Sequence, residues 1–533
     1  MSPFDWSQPY SSQRVPVNAR NIVATSHPLA AQAGLEVLRD GGNAVDAAVA
    51  TAACMTVLEP TSNGIGGDCF ALVRDGDKLI GLNGSGRSPA RLDAARIMAS
   101  ETYPRRGWDS ITVPGCVQGW VDLSRRFGRL DFSECMKPAI RYARDGYLVS
   151  PLTAAFWARG AEEFRGLEAW ESTFLFDGSP PVPGQMITLP DHADTLESIA
   201  ETEGRSFYQG ALARAIANAS RADGGAMTED DLAGHSGLWV DPIRVTYRGV
   251  NINEIPPNGQ GIAALIALGV LGHFDLPGME PDSPEVLHLQ IEAMKLGFAD
   301  AHRHVADPDC LETTCETLLD SDRLAKLAGC IEPDRAQCFD GGIPKPGGTI
   351  LLTTADEEGR CVSFIQSNYM GFGSGIVVPG TGIAMQNRGS CFSLETGHPN
   401  VVAPNKRPYH TIIPAMMTPG PGGPETDLMT FGVMGGFMQP QGHLQLVSRL
   451  RDFSQNPQAA LDAPRWQWTR GLEVLVEPGF TTNTIDELRA LGHEVSAVSS
   501  RTVQFGRGQA IHRLDGGWSG ASDPRADGQA VGF

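Results

Sequence analysis

The sequence predicts an α+β fold in which a sandwich of β-sheets is flanked by helices. Strand and helix patterns alternate in the N-terminal part, the region from about 88 to 340 is mainly helical, and strand patterns return from residue 349 onward. The chain has 533 residues. Because that is too long for one simple core, we expect either two lobes or one large layered domain.

The N-terminal part contains strand and helix signals in close succession. The apolar run 22–25 predicts a strand, and a helix is expected to follow it and to stop at the glycine pair 41–42. Asn43 is expected to cap a second helix, with Asp46 facing the free amides of its first turn. That helix should end just before Pro60.

The following segments predict a hairpin and then helices. Strands are expected at 69–73 and 78–82, and the Asp-Gly pair between them is a turn signal. Helices are expected at 117–127 and 287–301 within the mainly helical region.

Residues 331–348 combine proline, glycine and charge, which predicts an exposed connector. Beyond the connector the patterns alternate again. The expected elements are strands at 349–355, 360–367, 409–418 and 427–434, helices near 440–452 and 484–491, and further strands and turns at 493–523.

Charge and hydropathy exclude several classes of partner. The formal net charge is −20, which disfavours nucleic acid and anionic membranes because phosphate neutralisation needs clustered Lys and Arg. No run of 18 or more apolar residues predicts a membrane span, and residues 1–20 hold no apolar segment of the signal-peptide type. The expected location is cytoplasmic.

The ten cysteines are scattered along the chain. Four fall between Cys310 and Cys338, but without CxxC spacing. Reduced, partly buried thiols are the preferred interpretation, and a zinc site in that segment is the alternative.

Thr349 stands after two glycines, at the start of a predicted strand and at the end of the connector. A threonine hydroxyl is a poor nucleophile unless a base lies beside it, and an N-terminal α-amine with a pKa of about 8 can serve as that base. The amine exists only if the bond between Gly348 and Thr349 is cut. The expected products are a large segment 1–348 and a small segment 349–533. The alternative is an ordinary strand threonine.

Several motifs in order give the chain a family resemblance. They are Ala24-Thr25-Ser26-His27-Pro28-Leu29-Ala30, Gly41-Gly42-Asn43-Ala44-Val45-Asp46-Ala47-Ala48, Glu59-Pro60, Gly64-Ile65-Gly66-Gly67, Phe372-Gly373-Ser374-Gly375, Lys406-Arg407-Pro408, Met434-Gly435-Gly436 and Ala521-Ser522-Asp523-Pro524-Arg525. With them the chain resembles the gamma-glutamyltransferase family of N-terminal-nucleophile hydrolases over nearly its whole length.

The resemblance implies a four-layer αββα sandwich, self-cleavage, and Thr349 as the nucleophile. It places Ser367 where the family has a hydroxyl beside the nucleophile, and Gly435 and Gly436 at the oxyanion hole. Two successive N–H groups can stabilise a tetrahedral oxyanion. The alternatives are a strand serine bonded to backbone and a simple glycine turn.

The positions that hold the glutamyl group in the family have changed. The family's carboxylate-binding arginine aligns with Ser85, and Arg87 follows two residues later. The acidic residue that holds the α-amine aligns with Cys391, which is interpreted as a buried thiol. Loss of a carboxylate that pairs with a buried ammonium costs several kcal/mol. The family's substrate specificity therefore does not carry over directly.

Further substitutions give candidate substrate-binding residues. Tyr369, Arg388, His410 and Thr411 stand at positions where the family has an asparagine, an amide and a serine pair. Arg388 and Arg87 could each grip a carboxylate in bidentate fashion or form a structural salt bridge. His410 is interpreted as a pocket residue and Tyr369 as a pocket wall. The set resembles a divergent branch of glutathione hydrolase-like proteins, oxamate amidohydrolases and cephalosporin acylases.

The resulting expectation is a self-processing amide hydrolase or acyltransferase. The default substrate is a γ-glutamyl amide such as glutathione, and the alternative is another small carboxylated amide, oxamate or a glutaryl amide. A second alternative is an unprocessed homologue that only binds a metabolite.

The expected chemistry needs no cofactor. No metal or flavin takes part in it, and the glycine-rich stretch 63–68 lacks the Gly-Lys-Ser/Thr of a nucleotide-binding P-loop. The expected partners are a small amide, an amine acceptor if the acyl group is transferred, and the two segments of the same chain. A homodimer is left open.

Overall fold

Two antiparallel sheets of seven strands each form the centre of the molecule. The computed structural model describes residues 13–339, 348–500 and 502–533. Its strands are β1 (Val17–Ala19), β2 (Ile22–Thr25), β3 (Asp68–Asp75), β4 (Lys78–Asn83), β5 (Tyr147–Leu148), β6 (Met186–Ile187), β7 (Leu238–Val240), β8 (Ile243–Tyr247), β9 (Val250–Glu254), β10 (Gly348–Ala355), β11 (Cys361–Tyr369), β12 (Val377–Val378), β13 (Ile383–Ala384), β14 (Ala415–Pro419), β15 (Met429–Met434), β16 (Trp466–Arg470), β17 (Glu473–Val476), β18 (Glu494–Ala497), β19 (Arg507–Leu514), β20 (Gly517–Ser522) and β21 (Gln529–Gly532).

Helices cover the outer faces of both sheets. They are α1 (Pro28–Arg39), α2 (Ala44–Leu58), α3 (Ala94–Met98), α4 (Cys116–Phe127), α5 (Phe132–Asp145), α6 (Pro151–Glu163), α7 (Glu168–Phe174), α8 (Pro190–Thr202), α9 (Arg205–Gln209), α10 (Ala211–Ala222), α11 (Glu229–Ala233), α12 (Gly261–Leu271), α13 (Pro284–His304), α14 (Cys315–Leu318), α15 (Ser321–Ala328), α16 (Met438–Arg451), α17 (Pro457–Asp462) and α18 (Thr482–Ala490).

The strand orders are β1-β20-β19-β15-β14-β9-β8 in one sheet and β21-β2-β10-β11-β3-β4-β7 in the other. Strands from both ends of the sequence are therefore interleaved in each sheet. The segments on either side of Thr349 share both sheets, and the two expected products form one structural unit.

The alternation of apolar residues along β10 shows how the layers stack. Leu351 points between the two sheets and packs with Met434 and Ile511. Its neighbours Ile350 and Leu352 point the other way, into the core formed with helix α2. Because successive strand residues face opposite sides, a run that is apolar throughout marks a strand buried on both faces. The expected four-layer αββα sandwich is confirmed.

The second outer layer packs on the sheet that contains β15. Helices α12 and α13 contribute apolar side chains such as Ile266 and Met294 to a core that includes Phe431 and Val433. Helix α12 follows β9, a strand of the sheet that it covers, after a short connection.

Two predictions of local structure were wrong. Strands β8 and β9 lie inside the region predicted to be mainly helical; they form a hairpin through a turn in which Arg248 has a φ of 47° and Gly249 one of 82°. The strand predicted at 409–418 begins only at Ala415. His410, which was expected within it, exchanges backbone hydrogen bonds with Asn258 and Gln260 instead of with a neighbouring sheet strand.

The predicted connector is only partly exposed. Residues 340–347 lie outside the described residues. Before them, Ile331 and Ala336 are buried, which contradicts an exposed segment. The reason is anchoring: the Ala336 N–H donates to the Leu491 carbonyl at 2.7 Å, and Lys295 Nζ donates to the Gln337 carbonyl at 2.9 Å. The described first part of the connector, residues 331–339, is thus held on the body of the protein.

Two further features bear on the sequence predictions. All ten cysteines are free thiols. Across the described ranges, no helix combines the length and the apolar character needed to cross a membrane.

The predicted cap of α2 is confirmed. The Asn43 side chain accepts hydrogen bonds from the Val45 and Asp46 amides, and Asp46 accepts one from the Asn43 amide. Asn43 also donates to the Phe127 carbonyl at 2.7 Å. This cap holds the helix that packs directly behind β10.

Replacing Asn43 tests the contribution of this cap. We expect Asn43→Ala to lower the free energy of unfolding by about 1–2 kcal/mol, because two helix amides and one buried carbonyl lose their partners. The measurement is thermal unfolding of the uncleaved Thr349→Ala chain with and without the change. Asn43→Asp keeps the acceptor oxygen and should destabilise less; equal losses for Ala and Asp would contradict the capping role.

Candidate active site

Thr349 lies near the start of β10, at the wall of a large cavity. The cavity has a volume of about 1290 Å³, and both Gly348 and Thr349 line it. The Thr349 residue is itself only 2% exposed. The pairing of β10 with β11 shifts register between Gly348 and Ile350, so the strand is irregular at the bond before Thr349. The peptide bond expected to be cut therefore lies at the irregular end of a central strand, beside open space.

Ser367 connects the nucleophile to the carbonyl that it is expected to attack. Ser367 Oγ lies 3.1 Å from Thr349 Oγ1 and donates to the Gly348 carbonyl oxygen at 2.7 Å. It also accepts from the Tyr369 N–H at 2.7 Å. Because the Ser367 proton goes to Gly348, Thr349 is the donor in the contact between the two hydroxyls. Ser367 can therefore polarise the Gly348 carbonyl and orient the Thr349 hydroxyl.

An arginine that sequence reasoning missed holds the other side of Thr349. Arg507 Nη2 donates to the Thr349 carbonyl at 3.0 Å, and Arg507 Nη1 pairs with Glu59 Oε1 at 2.7 Å. The second oxygen of Glu59 accepts from Ser26 Oγ. Glu59 belonged to a quoted motif but was read only as a helix end, and nothing local in the sequence links Arg507 to Thr349.

Gly435 and Gly436 lie between β15 and α16, and Gly435 lines the cavity. Their φ angles are 140° and 60°, which a residue with a side chain rarely adopts. In the described part of the chain, neither N–H has a hydrogen-bond acceptor. Gln260 fixes this turn by donating to the Gly436 carbonyl at 2.9 Å. Two free amides beside the cavity can bind an oxyanion.

Four of the predicted substrate-binding residues form one buried group. The Arg388 guanidinium lies over the Tyr369 ring, with 4.7 Å from Cζ to the ring centroid, and Arg388 Nη1 donates to Thr411 Oγ1 at 2.8 Å. Asp68, which sequence reasoning missed, joins them. Its Oδ2 lies 3.5 Å from Arg388 Nε and 3.1 Å from His410 Nε2. No pattern near Asp68 indicated this role.

Burial sets the charge states in this group. Removal from water raises the pKa of Asp68 to about 7, although the nearby Arg388 cation acts in the opposite direction. Burial, with the Arg388 charge adding to it, lowers the pKa of His410 well below its ordinary value, so this imidazole is neutral. Among the described residues, Arg388 Nη2 is buried without a hydrogen-bond partner. A buried guanidinium N–H with no acceptor is a feature that an anionic ligand would satisfy.

Cys391 and Ser85, which stand where the family has an acidic residue and an arginine, offer no charged group to a substrate. Cys391 Sγ lies 3.8 Å from Arg388 Nη1, and burial raises the pKa of its thiol. Ser85 is buried and donates to the Asn83 side chain at 2.7 Å. Neither residue can replace an acid or an arginine in binding an amino acid.

Arg87 does not line the cavity that contains Thr349. Its guanidinium pairs with Asp307 at 3.0 Å and Asp309 at 2.8 Å, and it lines a separate cavity of about 360 Å³. Its charge is already compensated there.

Comparison with known proteins agrees with this geometry. The model of the gamma-glutamyltranspeptidase family matches residues 30–533. The glutathione hydrolase-like YwrD proenzyme of Bacillus subtilis is 37% identical, with 97% of this chain and 99% of the relative covered. The oxamate amidohydrolase proenzyme of Klebsiella pneumoniae is 35% identical with the same coverage.

A solved structure is similar over the full length. The crystal structure of a cephalosporin acylase from Bacillus halodurans has a TM-score of 0.94 and 46% sequence identity, and the match covers 100% of this chain and 99% of that one. These relatives are hydrolases and acylases of amides. The chain belongs to the gamma-glutamyltranspeptidase family of N-terminal-nucleophile amide hydrolases.

Proposed function

We propose that this chain is a zymogen that cuts itself before Thr349 and then hydrolyses small amides through a threonyl ester. The observation that carries the proposal is the contact of Ser367 Oγ with both Thr349 Oγ1 and the Gly348 carbonyl oxygen. Two hydroxyls and the carbonyl of the bond expected to be cut meet beside a large cavity, which supports Thr349 as the nucleophile.

Self-cleavage follows from the intact geometry. Thr349 Oγ1 attacks the carbonyl carbon of Gly348, its proton passes to the departing nitrogen, and an ester replaces the peptide bond. Water then hydrolyses the ester, which leaves a carboxylate on Gly348 and a free α-amine and hydroxyl on Thr349. The Ser367 hydroxyl stabilises the oxygen that becomes negative during the attack.

Substrate turnover repeats the same chemistry with the new amine as the base. The neutral α-amine takes the proton of Thr349 Oγ1 as the hydroxyl attacks the substrate carbonyl, and delivers it to the leaving amine. The N–H groups of Gly435 and Gly436 bind the oxyanion. Water resolves the acyl-enzyme, or an amine acceptor does so in a transfer reaction.

The group around Arg388 favours an acyl chain that ends in a carboxylate. Arg388 Nη2 has no partner in the described structure, and a carboxylate would supply one. Cys391 offers no negative charge to an α-ammonium. A glutaryl-type acyl group is therefore favoured, in keeping with the 46% identical cephalosporin acylase.

γ-Glutamyl amides such as glutathione are the second candidate. The observation that favours them is Asp68, a carboxylate within the same buried group. It is shared between Arg388 and His410, so an ammonium would have to compete for it.

Removing the nucleophile tests the central proposal. Thr349→Ala should show neither cutting nor turnover, because both need Oγ1, whereas Thr349→Ser should retain part of each. Denaturing gels and sequencing of the fragment beginning at residue 349 measure the cutting, and amide hydrolysis measures the turnover. Normal maturation of Thr349→Ala would refute the assignment, and a wild-type chain that stays intact would indicate an inactive binding homologue.

The bridging hydroxyl of Ser367 has its own test. Ser367→Ala should slow self-cleavage roughly tenfold, the effect of losing one hydrogen bond to a carbonyl that becomes charged. Ser367→Thr keeps the hydroxyl and should mature faster than the alanine variant. The measurement is the fraction of cut chain against time, and equal rates for the two variants would show that the hydroxyl has no part in the reaction.

A panel of acyl donors tests the substrate. We expect the processed enzyme to hydrolyse glutaryl-p-nitroanilide faster than γ-glutamyl-p-nitroanilide. The double variant Arg388→Met/Asp68→Asn should lower kcat/KM for the glutaryl donor about 10- to 100-fold. Asp68 is changed as well because removing Arg388 alone would leave a buried carboxylate without its cation. Pentanoyl-p-nitroanilide, which has no carboxylate, should be unaffected. Faster γ-glutamyl turnover favours the second candidate, and release of ammonia from oxamate would indicate oxamate as the substrate instead.

A further inference from the structure

Helix α6 turns one face toward the cavity that contains Thr349. Leu152, Phe156, Arg159 and Glu163 recur at intervals of three or four residues and all line the cavity. The N-terminus of the helix is fixed because Asp527 accepts a hydrogen bond from the Leu152 amide at 2.8 Å. One face of α6, anchored at its N-terminus, therefore forms this side of the cavity.

The ring of Phe156 lies close to two guanidinium groups. Arg507 Cζ is 5.7 Å from its centroid and Arg159 Cζ is 5.5 Å from it. Arg507 is the same residue that donates to the Thr349 carbonyl. Phe156 therefore lies next to Arg507, which contacts the expected nucleophile, and Arg159 lies near the same ring.

Arg159 differs in its ion pairing from other charged residues at and near the cavity. Arg507 pairs with Glu59, Arg525 pairs with Glu477, and Glu163 pairs with Arg106. Over the described ranges Arg159 forms no ion pair, and its side chain is exposed to the cavity. The whole chain has a net charge of −20, so an unpaired cation at this place gives the cavity a local attraction for anions.

We infer that Phe156 and Arg159 bind the amine part of the substrate and select amines that carry an aromatic or other flat apolar ring and a carboxylate. The inference rests on the proposed function, in which the group around Arg388 takes the acyl end. The open cavity then remains for the leaving amine. Phe156 provides a face for the ring, and Arg159 provides donors for the carboxylate.

Binding of an isolated amine tests this site without any acyl group. The probes are 4-aminobenzoate and 4-aminobenzamide, which have the same ring and nearly the same shape but differ in charge. Isothermal titration with the processed enzyme should show tighter binding of 4-aminobenzoate. Arg159→Met should weaken the binding of 4-aminobenzoate about threefold to fivefold, the size expected for an exposed ion pair, and leave 4-aminobenzamide unchanged. Phe156→Leu should weaken both.

Arg39→Met is the matched control. Arg39 is also an exposed arginine over a phenylalanine ring, with Cζ 5.2 Å from the Phe533 centroid, but it lies outside the cavity lining. This variant should bind both probes as the wild type does. The inference is overturned if 4-aminobenzoate does not bind the wild type, if Arg159→Met binds it equally well, or if Arg159→Met weakens both probes alike.

Self-cleavage and turnover are followed in the same proteins. Arg159→Met should mature fully, since Arg159 does not contact Gly348 or Thr349. If the amine probes bind as expected but no acyl donor is hydrolysed, the proposed function fails while the amine site stands. If donors are hydrolysed and the probes show no dependence on Arg159, the amine site fails and the proposed function stands.

Discussion

The pairing of β10 with β11 is the constraint on which the chemistry of this chain depends. It sets Thr349 on one strand against Ser367 on the next, with 3.1 Å between their hydroxyl oxygens. The register shift at Gly348 turns the preceding carbonyl toward the same serine. Both strands are covered on both faces, so neither strand backbone can move away from the other without disturbing two cores. A rigid sheet thereby positions a reaction that needs a close approach of a side chain to its own backbone.

Two buried arginine–carboxylate pairs lie close to these residues. Arg507 pairs with Glu59 beside Thr349, and Arg388 lies near Asp68 behind Tyr369. Such pairs contribute little net stability, because each charge has lost its hydration, but removing one partner leaves the other uncompensated. Their effect is to fix the geometry of the groups that contact them. Arg159 has no such partner in the described structure. Arg507 and Arg388 therefore hold neighbouring protein groups in place, whereas Arg159 is available to a ligand.

Local patterns allowed much of the fold to be predicted. Strands β10 and β11 and the Asn43 cap follow from apolar runs, turns and capping residues, and they were placed to within two residues. The relation of Arg507 to Thr349 could not be predicted in this way, because 158 positions separate them and the contact exists only after β19 has joined its sheet. Asp68 was missed for the same reason. For Arg87 the sequence left open a carboxylate ligand or a structural salt bridge, and its ion pairs with Asp307 and Asp309 agree with the second.

In the proposed arrangement the site has two environments, a buried side for the acyl group and an open side for the leaving amine, and this division would let one nucleophile act on different amides. The acyl side is buried and built from residues of both expected segments, such as Asp68 and Arg388, so a change of acyl group requires several coupled substitutions. The amine side is an open cavity in which the α6 face projects individual side chains toward solvent. A substitution there alters one contact without exposing a buried charge. Selection for a new leaving amine can therefore proceed by single changes on α6, while the Thr349 and Ser367 geometry stays fixed.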